Sequence, residues 1–499
     1  MRDIERGPVA LLCINNVSFS YPAQDAQMLK NVNLTIEDGE CILLCGRSGC
    51  GKTTLTRLLN GLIPHFHSGN LSGEVKIDGE NIADIPMHRL AERIGSVFQN
   101  PRTQFFNIDT DNEIAFGIEN RALPIEELQR RVESTITDLN IQNLRGRNIF
   151  ELSGGEKQKI AFASIYAMNP DIYLLDEPSS NLDTHSINEL REHLQLIKKQ
   201  GKTIIVAEHR LYYLLDLADR VVYMQDGRIE KIFTSNELRN LPPEQCAKLG
   251  LRAVDLSLVQ PTARNTENTQ PALELKDVSL YHKKKCILEH INVKANSGDI
   301  IGIVGCNGAG KTTFSRALCG LHKKLTGEFL WSSMTSSHKA QLGRSYMVMQ
   351  DVNYQLFAED VEKECSFGIK NPDNALIGET MKKLGLYEYR NRHPNTLSGG
   401  QKQRTAVAVS MICKKDVLVF DEPTSGLDFN SMRQVAELIA NLSAMGKIVF
   451  VVTHDYEFIC QICTKILHFD NGHLLRDFAI TEDSSKYLLE LFEVNANGK

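Results

Sequence analysis

Gly46-Arg47-Ser48-Gly49-Cys50-Gly51-Lys52-Thr53-Thr54 follows the apolar run 41–45 and precedes the helical pattern Leu55-Thr56-Arg57-Leu58-Leu59. Gly305-Cys306-Asn307-Gly308-Ala309-Gly310-Lys311-Thr312-Thr313 repeats that context after the apolar run 300–304. Both satisfy G-x-x-x-x-G-K-[ST]. In such a stretch the glycines let backbone N–H groups close around phosphate oxygens, with a helix N-terminus behind them. The spacing therefore assigns Lys52 and Lys311 to the β and γ phosphates of a nucleotide, and Thr53 and Thr312 to Mg²⁺. One such pattern can arise by chance; two in the same strand-to-helix context argue for nucleotide binding twice in one chain.

The rest of the sequence repeats in the same order. Leu152-Ser153-Gly154-Gly155-Glu156 returns as Leu397-Ser398-Gly399-Gly400-Gln401, Asp176-Glu177-Pro178 as Asp421-Glu422-Pro423, and His209 as His454, each 245 residues on. The first motif is offset by 259, and most of the 14-residue shortfall is expected in the loop Pro64-His65-Phe66-His67-Ser68-Gly69-Asn70, which has no clear match downstream. Such a period is a domain duplication. Domains over 1–253 and 271–499 are expected, joined by a linker over 254–270 whose core, residues 260–270, is polar and nonperiodic.

Composition bounds the function. The 499 residues carry 56 basic and 62 acidic side chains, a net charge of −6 that argues against a nucleic-acid-neutralising role. No run of about 18 apolar residues occurs, so no membrane span is expected. The N-terminus, Met1-Arg2-Asp3-Ile4-Glu5-Arg6, lacks the apolar stretch of a secretory signal. Twelve scattered cysteines, many within apolar runs, suggest reduced buried thiols.

Each half alternates short apolar runs (41–45, 172–175 and 203–207; 300–304, 417–420 and 448–452) with longer helical patterns. Strands apolar on both faces imply a parallel sheet flanked by helices, so the fold class is α/β, twice. Ligands then belong at the carboxyl ends of the strands, where these motifs fall. Asp176 and Asp421 are expected to hold Mg²⁺ through water, and Glu177 and Glu422 to polarise the attacking water. His209 and His454 end further strands and are expected to touch the γ-phosphate. Ser153 and Ser398 read as helix N-caps; with Gly154, Gly155, Gly399 and Gly400 they also suggest a second phosphate-binding helix N-terminus.

Together with Ser180-Asn181-Leu182-Asp183 and Ser425-Gly426-Leu427-Asp428, these motifs resemble the ATP-binding-cassette (ABC) ATPases over nearly the whole chain. The resemblance implies a duplicated P-loop NTPase domain, each copy with a parallel-sheet core, an antiparallel β part and a helical subdomain. It implies ATP and Mg²⁺ as ligands, held by Gly46, Ser48, Gly49, Gly51, Lys52, Thr53 and Thr54, and by Gly305, Asn307, Gly308, Gly310, Lys311, Thr312 and Thr313. Gln99 and Gln350 would sense Mg²⁺ and the γ-phosphate, and Tyr21 and Tyr281 would stack on adenine. It also implies head-to-tail pairing within one chain. One site would join Lys52, Asp176, Glu177 and His209 to Ser398; the other would join Lys311, Asp421, Glu422 and His454 to Ser153.

Val97-Phe98-Gln99-Asn100-Pro101-Arg102-Thr103-Gln104-Phe105-Phe106, its counterpart through Gln350, Gln355, Leu356 and Phe357, and Glu113-Ile114-Ala115-Phe116-Gly117 resemble the ATPases of energy-coupling-factor importers. That resemblance implies a peripheral protein at the cytoplasmic face of the cell membrane. Its partners would be an integral membrane transporter subunit, docked on Gln104, Phe105, Phe106, Gln355, Leu356 and Phe357, and a substrate-binding membrane subunit. The cargo would be a vitamin, a vitamin precursor or a metal ion; no nucleic-acid partner is expected. A soluble tandem ATPase acting on ribosomes or nucleic acid, and a tandem sugar-importer ATPase, are the alternatives. Arg47, where a small residue or proline is common, and the second Q-loop, which lacks the Asn/Asp-Pro form, depart from the pattern. Cys460-Gln461-Ile462-Cys463 reads as buried core rather than a redox pair, and His65 with His67 lacks a third metal ligand.

Overall fold

The computed structural model describes residues 10–22, 27–263 and 271–492. The N-terminal stretch read against a secretory signal, and 264–270 of the expected linker, lie outside the described residues. Two compact units emerge: Met1–Leu258 with Gly426–Asn430, and Val259–Ser425 with Ser431–Lys499. The linker segment is not bare on either side. Val254 joins the first unit's core. In the second unit the Val259 carbonyl accepts from the Tyr456 hydroxyl at 3.2 Å, and Thr262 N–H donates to the Cys460 carbonyl at 2.8 Å.

The central sheet of the first unit runs, edge to edge, Arg228–Thr234, Arg220–Gln225, Cys41–Gly46, Thr203–Ala207, Ile172–Asp176, Ile94–Val97. Its pairings are parallel except the first, a hairpin edge. The second unit has the same order: His473–Ala479, Lys465–Asp470, Ile300–Val304, Ile448–Val452, Val417–Asp421, Ser345–Val348. The apolar runs are explained by strand alternation. Ile42, Leu44, Ile172, Leu174 and Ile205 face one core, whereas Cys41, Leu43, Tyr173, Leu175 and Ile204 face the other. Both faces exclude water, so a polar residue at either parity would have to be paired.

The first of these cores lies under an antiparallel sheet of Leu29–Glu37, Ala10–Ser20, Asn70–Ile77 and Glu80–Asn81. The other is closed by helices, including Thr110–Glu119, Ile125–Asp138 and Gly154–Met168. The second unit repeats the plan, with a small helical core of Val361, Cys365, Ile377, Met381 and Leu397 among others. The α/β class and the strand runs read from sequence are as observed.

The length difference between the copies is not concentrated in the expected loop. The matched strand residues Gly73 and Gly327 are 254 apart, Ile94 and Ser345 are 251 apart, and the Ser153/Ser398 pair is 245 apart. The loop before Asn70 accounts for five residues only. It includes the short helix Leu62–His65. The largest share lies in the helical part, where Thr110–Glu119 and Ile125–Asp138 give way to the shorter Val361–Ser366 and Asn374–Lys383. Surface helices there can shorten without disturbing the sheet.

Candidate active site

In the first unit, strand Cys41–Gly46 turns directly into a glycine loop and the helix Lys52–Leu59. The turn demands glycine at Gly46: φ is +143°, and a Cβ there would sit 2.2 Å from the Met224 carbonyl oxygen. Gly305 repeats this, with φ +141° and the Phe469 carbonyl oxygen at 2.0 Å. Arg47, Ser48 and Gly49 of the first loop are exposed, as are Cys306, Asn307 and Gly308 of the second.

Lys52 is buried, and its ammonium donates to the Gly46 and Arg47 carbonyls at 3.1 and 3.2 Å. Lys311 does the same to Gly305 and Cys306, at 2.5 and 3.0 Å. The loop carbonyls thus hold each ammonium within the glycine loop. Thr53 Oγ1 donates to Asp176 Oδ1 at 3.3 Å. Burial, and next the neighbouring Glu177 charge, push the Asp176 carboxyl up to about 6; burial also raises that of Asp421. A buried carboxyl that is costly as an anion and sits beside a threonine hydroxyl suits a hard divalent cation.

Glu177 is where the elements converge. Its backbone is left-handed, φ +45°, as is that of Glu422 at +48°. A left-handed glutamate is strained, and its repetition in both copies points to a positional requirement. Gln99 Nε2 donates to Glu177 Oε2 at 2.6 Å, His209 Nε2 lies 3.2 Å from Glu177 Oε1, and Lys52 Nζ lies 3.4 Å from the same imidazole nitrogen. The first unit thus brings Gln99, Glu177, His209 and Lys52 together in one cluster of polar contacts. In the second unit His454 Nε2 lies 3.5 Å from Glu422 Oε1, and Gln350 is exposed. A cleft of about 300 Å³ opens beside Thr53, Gln99 and Asp176, and Arg57, Asn60 and His67 line its other end.

Ser153 and Ser398 each cap a helix reciprocally. Ser153 Oγ accepts from Glu156 N–H at 3.3 Å while Glu156 Oε2 accepts from Ser153 N–H at 2.8 Å; Gln401 does the same for Ser398 at 3.4 and 2.9 Å. Both serines and the first glycine after each are exposed. The capping reading and the phosphate reading are compatible, because the capped N-terminus still faces outward. Tyr21 is half-buried: its hydroxyl accepts from Arg57 at 3.0 Å and lies 3.4 Å from Thr54 Oγ1. Tyr281 is half-buried in strand Leu273–His282.

The expected docking surface needs correction. Gln104 and Gln355 point inward. Gln104 accepts from Phe98 N–H at 3.3 Å and donates to the Ser96 carbonyl at 3.0 Å; Gln355 makes the same pair with Met349 and Met347 at 2.7 and 2.5 Å. Phe105 packs against the core and Leu356 is only 5% exposed. Only Phe106 (75% exposed) and Phe357 (71%) stand out. Sequence reading also missed the role of Glu113 and Glu364, both buried. Glu113 Oε2 accepts from Phe106 and Asn107 N–H at 3.0 and 2.7 Å, and Glu364 Oε2 from Phe357 and Ala358 N–H, both at 2.7 Å. The signal was available: the two acids share the 251 offset of Gln99 and Gln350.

Among the described residues no cysteine is in a disulfide, and Cys460 and Cys463 are buried as expected, whereas Cys286 and Cys306 are exposed. His65 Nε2 lies 3.4 Å from the Ile82 carbonyl, and the described residues hold no group of three or more His, Cys, Asp or Glu fit to bind a metal ion. None of their helices is long and apolar enough to cross a membrane.

The ABC transporter family model matches residues 29–180 and 288–425, which hold both glycine loops and both Asp-Glu pairs. The chain belongs to the ABC transporter family. It is similar to a protein of Treponema denticola provisionally named an ABC transporter ATP-binding protein, 49% identical over 476 residues, covering 94% of this chain and 97% of that one. A protein of Methanosarcina mazei with the same provisional name is 33% identical, covering 94% and 89%. Among solved structures, a model of ribosome-bound archaeal Pelota and ABCE1 includes a chain 20% identical, with a TM-score of 0.68 over 95% of this chain and 80% of that one. That likeness concerns the fold alone. The chain is an ATPase built from two ABC cassettes.

Proposed function

We propose that this chain is the ATP-hydrolysing subunit of an energy-coupling-factor-type importer of a vitamin, a vitamin precursor or a metal ion, at the cytoplasmic face of the cell membrane. The observation that carries the reading is the path from Gln99, bonded to Glu177, to Phe106, which is exposed seven residues later. The transporter names of the relatives support it, as does the resemblance of the Q-loop segments. Lys52 and Lys311 bind the β and γ phosphates, and the glycine loops supply backbone N–H groups. Thr53 with Asp176, and Thr312 with Asp421, hold Mg²⁺, which neutralises phosphate charge when bound. Glu177 and Glu422 polarise the attacking water, and His209 and His454 orient it toward the γ-phosphate. The two cassettes pair head to tail, so that Ser398 completes the Lys52 site and Ser153 the Lys311 site.

Phe106 and Phe357 receive the membrane subunit. Phe106 stacks on the half-buried Phe116, with ring centroids 4.8 Å apart, so two rings form one apolar platform beside a loop tied to the γ-phosphate sensor. Co-expression with candidate integral membrane subunits tests the reading. A stable complex with ATP-dependent transport is expected; recovery with ribosomes and with no membrane protein would contradict it.

A further inference from the structure

We propose that Glu208 is a positioning residue for hydrolysis at the Glu177 site, clamping the segment that carries His209 to the segment that leaves Glu177. The inference rests on the roles proposed above for Glu177 and His209.

Glu208 follows strand Thr203–Ala207, and its own N–H donates to the carbonyl of Leu44, in the strand that feeds the glycine loop, at 3.0 Å. Its side chain is 2% exposed and faces four donors. Oε1 accepts from His209 N–H at 2.7 Å and from Arg210 N–H at 3.2 Å. Oε2 accepts from Ser179 N–H at 3.2 Å and from the Tyr213 hydroxyl at 3.0 Å. Arg210 completes the clamp: it is buried, and its guanidinium donates to the Ser179 and Leu182 carbonyls, both at 3.5 Å. Burying a carboxylate is expensive unless its oxygens are fully engaged, and here they are.

The groups fixed in this way belong to two segments. One begins two residues after the strained Glu177. The other begins at His209, whose ring touches Glu177 at 3.2 Å. The second unit is built differently at the same place. Thr453 stands where Glu208 does; its hydroxyl accepts from Asp455 N–H at 3.1 Å, and Asp455 caps the helix Tyr456–Ile462. In the first unit residues 212–217 are turns instead. Without a helix to set the register after His209, the carboxylate does so. Displacing a catalytic group by about 1 Å can cost on the order of 10²-fold in rate, so a clamp on both segments acts on turnover rather than on nucleotide affinity.

The test is steady-state hydrolysis of MgATP by the full chain in a Glu422→Gln background, so that the Glu177 site alone turns over, with KM, kcat and melting temperature for Glu208→Ala, Glu208→Gln and Tyr213→Phe, and with Glu177→Gln as control. Glu208→Ala is expected to lower kcat about tenfold or more with KM within about twofold, and Glu208→Gln, which keeps one acceptor, to retain a larger part. A kcat within twofold of the parent for folded Glu208→Ala, a changed KM with kcat unaltered, or a Gln variant as slow as the Ala variant would overturn the clamp. Should Glu208→Ala fail to fold, Glu208→Gln and Tyr213→Phe decide: a two- to fivefold loss in kcat at constant KM supports it, and unaltered kcat in both overturns it. If Glu177→Gln itself hydrolyses normally, the catalytic reading fails; if only the Glu208 variants do, the clamp alone fails.

Discussion

Asp176, proposed above as a Mg²⁺ ligand, shows what a buried carboxylate costs. Burial, and next the Glu177 charge, disfavour the anion and push its carboxyl from the ordinary 3.8 up to about 6. A group raised in this way supports the fold fully below about pH 3.8 and loses that support as pH rises through about 6. Near pH 8 the buried anion costs about 1–3 kcal/mol. Asp176→Asn should therefore raise the melting temperature of the nucleotide-free protein by a few degrees at pH 8, with the gain fading as pH falls from about 6 toward 3.8. Thermal melts across that range check this, and the same variant should lose Mg²⁺-dependent hydrolysis. A variant no more stable than the parent at pH 8 would mean that Asp176 is already relieved by its neighbours.

At the scale of elements, the loop after Gln99 is held by two inward ties, from Gln104 and from Glu113, and of its two phenylalanines Phe106 is the one left outward. Phe106→Asp with Phe357→Asp should leave the melting temperature nearly unchanged, since exposed substitutions usually cost within about 0.5 kcal/mol, while abolishing co-purification with the membrane subunit. Leu356→Asp should instead cost several kcal/mol, because it buries an unpaired charge. Glu113→Ala strands two N–H groups and should cost about 1–3 kcal/mol; urea melts read each value. The sequence showed the strands and motifs plainly, because apolar runs and glycine spacings are local. It did not separate Phe105 from Phe106, because which of two adjacent aromatics turns inward is set by the Gln104 and Glu113 ties, made by residues one to eight positions away. The contacts of Glu208 were hidden for a similar reason: of its four donors, Ser179 N–H lies 29 residues away in another segment. The uneven length difference between the copies was equally illegible, since without the strand pairings nothing fixes where residues are missing.

At the scale of the whole molecule, both copies keep the lysine, the aspartate, the left-handed glutamate and the histidine, so two working sites are expected. Ser398→Arg should damage hydrolysis at the site that holds Lys52, and nucleotide cross-linking followed by proteolysis between the cassettes would locate the loss. Damage confined to the Lys311 site would refute head-to-tail pairing. The most direct test of a two-site ATPase is the hydrolysis rate of Glu177→Gln and Glu422→Gln, each measured separately alongside ATP binding. Each single variant is expected to bind ATP like the parent and to hydrolyse it more slowly in steady state, with turnover at the altered site down roughly 10²-fold or more. Wild-type hydrolysis by either variant would contradict the assignment of that glutamate, and with it the claim that both sites hydrolyse ATP.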